Sequence, residues 1–79
     1  MANGNFHPVR GEHRVDDDKR HTIKASEAFD AAWAHALEQA RDQWGAPNEV
    51  RVEVRLEADV HVWNPGGIGV CVVQLTPIG

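Results

Sequence analysis

From Glu49 to Val62 every even-numbered position is apolar (Val50, Val52, Val54, Leu56, Ala58, Val60, Val62) and every odd-numbered one is polar (Glu49, Arg51, Glu53, Arg55, Glu57, Asp59, His61). Side chains alternate across a strand, so this period of two predicts a long strand with one face buried and the other solvated. Asn64-Pro65-Gly66-Gly67 then predicts a turn, with proline setting one φ and glycine permitting a positive one. Residues 68–78 form the expected return strand. A loop of even length sets Trp63 opposite Ile68, Val60 opposite Cys71, Ala58 opposite Val73 and Leu56 opposite Leu75, with the apolar partners on one face. An odd loop would carry Gln74 onto that face without a partner, so burial favours the even one.

Upstream the period changes. Phe29, Trp33, Ala36, Leu37, Ala40 and Trp44 recur at helical spacing and fall in one stripe about 100° wide, as a core-facing helix requires. Ser26 is the expected N-cap, its hydroxyl accepting from the first-turn amides, and Glu27 and Asp30 complement the positive end of the helix dipole. Gly45 suits the position just past the end, and Pro47 bars continuation. The helix is expected over 26–44.

Residues 1–20 carry Gly4, Pro8 and Gly11 with only scattered apolar side chains (Phe6, Val9, Val15), and neither period persists. They read as a polar, mobile N-terminal arm with at most one short strand near Val9, dispensable for the fold. His21-Thr22-Ile23-Lys24-Ala25 is the expected first strand, at a sheet edge. The expected architecture is a single α+β domain over 21–79. It comprises a short strand, one helix and a long antiparallel hairpin (βαββ), with the helix packed on one face of the sheet.

Two features point beyond a lone subunit. At about 3.3 Å per residue the long strand spans about 46 Å, whereas the helix, at about 1.5 Å per residue, spans about 29 Å. One helix cannot cover that apolar face. In addition, Val70 and Val72 lie on the nominally solvated face beside Trp63 and Ile68, and a strand apolar on both sides is usually buried on both. A homo-oligomer, dimer or larger, is expected, with Trp63, Ile68, Val70 and Val72 at its interface.

Composition narrows the classes. A single domain fits in 79 residues, and one this short buries only about 60% of the surface its unfolded chain exposes. Cys71 is the only cysteine, so no internal disulfide supplements the core and partners are the remaining route. The formal charge of −4, with Arg10, Arg14, Lys19 and Arg20 set around Asp16, Asp17 and Asp18, argues against nucleic acid. No apolar run is long enough to span a membrane, and Met1-Ala2-Asn3-Gly4 leads into no signal core. With a lone cysteine suited to a reducing compartment, the chain is expected in the cytoplasm. His7, His13, His21, His35 and His61 lack zinc-type spacing, and Asp16-Asp17-Asp18 lacks the alternation of a calcium loop, so no metal site is expected. Ser26, the only serine, reads as a helix cap and Cys71 as an inert core thiol, so the chain is not expected to be an enzyme.

The order short strand, helix, long strand, turn, long strand, with Val72-Val73-Gln74-Leu75-Thr76 in the last strand and an acidic, aromatic and alanine-rich helix, resembles the dodecins. These are small βαββ proteins that assemble as hollow dodecamers and store flavins. The resemblance covers about residues 21–79. It implies a flavin-type ligand between subunits, with Gln74 contacting the ring. Dodecins stack the flavin on a tryptophan at the start of the long strand; here Asn48, Glu49 and Val50 stand in that place, so stacking would fall to Trp63. The expected function is a small non-catalytic oligomeric module that sequesters a planar small molecule such as a flavin, with Gln74 and Trp63 as ligand contacts. The alternative is a protein-interaction or regulatory module that docks a partner through the outer sheet face or the N-terminal arm.

Overall fold

A computed structural model describes residues 6–16, 18, 23–45, 48–63 and 67–78. Strand β1 (Val9–Arg14), helix α1 (Ala25–Trp44), strand β2 (Val52–His61) and strand β3 (Gly67–Pro77) follow in chain order. The strands form one antiparallel sheet in the order β1-β3-β2, and α1 packs against one face of it. The fold is α+β, in βαββ order, as the sequence predicts.

What seats the helix is a meeting of small residues. Ala28, Ala32, Ala36 and Ala40 form a buried ridge at a spacing of four, completed by Trp44. Across from it lie Val9 and Gly11 of β1 and Cys71, Val73 and Leu75 of β3, all buried. A Cβ at Gly11 would collide with the backbone of Ala32 and Ala36, so helix and strand backbones touch there and only glycine fits. The wheel is therefore rotated from the expected stripe. Ala36, Ala40 and Trp44 are buried as anticipated, but Phe29 and Leu37 are half-buried on a flank and Trp33 is 39% exposed. Bulky residues cannot sit where two backbones come into contact.

The first strand is not at residues 21–25. Ile23 lies in a bend, Lys24 is extended and Ala25 is already helical, while His21 and Thr22 lie outside the described residues. The stretch read as an arm supplies β1 instead. Its period of two is Val9, Gly11, His13, Val15, which the glycine and the histidine conceal in a search for apolar residues. The segment is also tied down at both ends. Phe6 stacks on Trp44 with ring centroids 5.5 Å apart, and Trp44 Nε1–H donates to the His7 carbonyl at 2.7 Å. At the far end Val15 N–H donates to the Gly69 carbonyl at 2.8 Å. Residues 6–15 are part of the core rather than dispensable.

The helix starts one residue early, and its N-cap is Lys24, not Ser26. Lys24 N–H donates to Glu27 Oε1 at 3.3 Å, which occupies an amide that a serine cap would not reach, and Ser26 is exposed in the first turn. Gly45, at a φ of 76°, ends the helix in the left-handed conformation its position predicts. Pro47 lies outside the described residues.

The hairpin keeps the expected faces but not the expected register. Val54 pairs with Leu75, Leu56 with Val73 and Ala58 with Cys71, two residues away from the predicted partners. A slip of two returns every side chain to its own face, so burial cannot distinguish the registers. The ladder closes at His61 and Gly67, leaving an odd connection of which Asn64, Pro65 and Gly66 lie outside the described residues. A bulge at Gly69, opposite the Asp59–Val60 step, reverses the alternation, so Ile68 faces Val60. Ile68, expected on the outer face, packs with the core instead.

Candidate functional site

Register builds the outer face, the one turned from α1, row by row. Arg10, Gln74 and Arg55 stand side by side on β1, β3 and β2; Glu12, Val72 and Glu57 form the next row, and Arg14, Val70 and Asp59 the third. Arg10, the second and third rows and Ala58 line a shallow depression of about 600 Å³. Its floor is apolar: within the single chain Val72 is 8% exposed and Val70 half-buried, so the burial expected from a neighbouring subunit is for Val72 already supplied by its own sheet. Its β1 wall alternates in sign through Arg10, Glu12 and Arg14, while its β2 wall carries the two acidic side chains Glu57 and Asp59, so the rim is of mixed charge. Chemically it suits a neighbour with an apolar centre and a mixed-charge rim.

Gln74 is half-buried in the central strand at the edge of this depression. Trp63 follows β2 and is 86% exposed. It lies eight residues past Arg55, the β2 partner of Gln74, which is about 26 Å at 3.3 Å per residue. The structure therefore groups Gln74, Val70 and Val72 and sets Trp63 and Ile68 apart from them. Cys71 is fully buried beneath the helix, and that burial pushes its thiol pKa above the ordinary value.

One surface lies elsewhere than the sequence reading put it, and a second escaped that reading. The first is the uncovered apolar row of β2. The helix lies over β1 and β3, so Val54, Leu56 and Val60 remain 44%, 55% and 55% exposed on the helix side of the sheet. Phe29, Trp33 and Leu37, one step round the helix from its buried ridge, stand on α1. The uncovered area lies beside the helix and not, as the length comparison suggests, beyond its ends.

The second is the β1 edge. Glu12 N–H donates to Nδ1 of His35 at 2.9 Å, and the other ring nitrogen of His35 lies 3.2 Å from the Gln39 side-chain amide, which accepts in turn from Gln43 at 3.2 Å. The signal was the row His35, Gln39, Gln43 at a spacing of four on one flank. Because this flank overhangs β1, the Phe29–Trp33–Leu37 flank faces the β2 side.

Among the described residues no group of three or more His, Cys, Asp or Glu is placed to hold a metal ion, and no helix is long and apolar enough to cross a membrane. Comparison with protein-family models, curated proteins and solved structures gave no match.

Proposed function

We propose that this chain is a small, non-catalytic, self-associating βαββ module, dodecin-like in design, that holds a planar small molecule such as a flavin between subunits. The observation that carries this reading is the apolar strip left open by the fold, with Val54, Leu56 and Val60 of β2 and Trp33 of α1 all more than a third exposed. Exposed apolar side chains grouped on the helix side of one strand mark an interaction surface, whereas scattered ones need no explanation. Gln74 supports the ligand part. Its amide can meet the hydrogen-bonding edge of a heterocycle, and Arg10 and Arg55 in the same row suit an anionic tail. Since Gln74 and Trp63 are far apart in one subunit, the tryptophan that stacks on a ring at Gln74 comes from a neighbouring chain. A cytoplasmic setting is part of the proposal, supported by the lone cysteine.

Titration of riboflavin and FMN into the full chain, followed by fluorescence quenching, tests the ligand. Saturable quenching is expected. Trp63→Ala should weaken it without abolishing it, since an aromatic pair contributes about 0.5–1.5 kcal/mol beyond area burial. Gln74→Ala should cost more, because the polar edge of the ring loses its partner. Absence of quenching at micromolar concentrations would favour the second reading, a protein partner docked in the outer depression, whose apolar floor and charged rim match the anatomy of a protein interface.

A further inference from the structure

We infer that two copies of this chain join through β2, edge to edge and antiparallel, with the two-fold axis at Val54. The inference rests on the self-association proposed above and specifies its surface and register. The sheet has two edges. The β1 edge is short and is closed at Glu12 by the His35 ring. The β2 edge runs from Val52 to His61 and carries the exposed apolar row. Natural proteins seldom leave an edge of that length and composition open.

Hydrogen-bond parity shows which groups this edge offers. Ile78 N–H donates to the Arg51 carbonyl at 2.9 Å, one step beyond the Val52–Pro77 pair. In an antiparallel ladder, opposed residues alternate between pairs that exchange both hydrogen bonds and pairs that exchange none. Odd residues of β2, up to the bulge, therefore bond to β3, and even residues direct their N–H and C=O groups to the open edge. A second β2 would pair through those even residues. The odd residues would then become the non-hydrogen-bonded pairs, whose side chains approach most closely.

Charge selects the register. A two-fold at an odd residue opposes like charges: at Arg55, arginine faces arginine and Glu53 faces Glu57. A two-fold at an even residue opposes unlike ones. With the axis at Val54, Glu53 faces Arg55 of the second copy, Arg51 faces Glu57, and Val52 faces Leu56. With the axis at Leu56, Glu53 would face Asp59; with the axis at Val52, the ladder would run onto residues 48–51, ahead of the strand. Val54 is the centre that pairs each charge from Arg51 to Glu57 with its opposite, drawing in a single residue, Arg51, from ahead of the strand. Opposed unlike charges on neighbouring strands attract and like ones repel. On the helix side the two apolar rows then lie against each other and leave water.

Two experiments on the full chain test this. Glu53→Arg and Arg55→Glu each create like-charge pairs across the axis and should weaken association about tenfold or more, while the double swap restores it. Under mild oxidation Val54→Cys should form a disulfide dimer, since opposed Cα atoms about 5.5 Å apart fall within disulfide reach. Leu56→Cys should not, because its two copies would be offset by about 13 Å along the strands. Cys71 is buried and does not compete. If the protein associates but Leu56→Cys links in preference, or neither variant links, the β2 register is wrong and self-association survives. If the wild-type chain stays monomeric, both fall.

Discussion

Gly11 and Cys71 show how single residues decide this fold. The place for a side chain at Gly11 is already taken by the helix backbone. Gly11→Ala should therefore destabilise by about 3 kcal/mol, the upper end of overpacking costs. A domain of this size has about 4–12 kcal/mol in total, so the loss should be plain in a urea titration. An unchanged midpoint would mean that helix and strand are further apart than described. For Cys71 the sign follows from the direction of its shift. The folded chain holds the thiol protonated above its ordinary pKa, so its ionisation has no effect on stability at neutral pH. As pH rises through the ordinary thiol range only the unfolded chain gains thiolate, and stability should fall. Thiol labelling should be slow in buffer and fast in denaturant. Rapid labelling of the native protein would place Cys71 outside the core.

Among the elements, β1 has most at stake. Removing residues 6–15 takes away an edge strand, the Phe6–Trp44 stack and the strand backbone on which the alanine ridge rests. A variant starting at Asp16 should lose its cooperative thermal transition, as followed by circular dichroism, and a retained transition would return β1 to the status of an arm. The helix and hairpin were legible in the sequence because each has a strong period, 3.6 and 2 respectively. β1 was not, because its contact with the helix is made by the absence of side chains, and a hydrophobicity pattern does not register Gly11 opposite Ala32 and Ala36. The Ala28-Ala32-Ala36-Ala40 spacing was the available clue. Hairpin faces followed from burial, whereas the two-residue register and the Gly69 bulge, which turned Ile68 inward, depend on backbone geometry that alternation does not encode. Of the site residues, Gln74, Val70 and Val72 fall together on the outer face as their parity predicts.

At the scale of the whole molecule, the question is what covers β2. One helix sits over two strands of three, and the third presents Val54, Leu56 and Val60 on one side and a row of alternating charge on the other. In the proposed dimer a second β2 at the edge would bring the apolar rows together on one side and pair the charges on the other. The most direct measurement is sedimentation equilibrium of the full chain across the micromolar range. The predicted result is a mass at least twice that of one chain, shifting toward the single-chain mass in Leu56→Lys with the helix signal kept. A single-chain mass for the wild type at every concentration would contradict self-association outright.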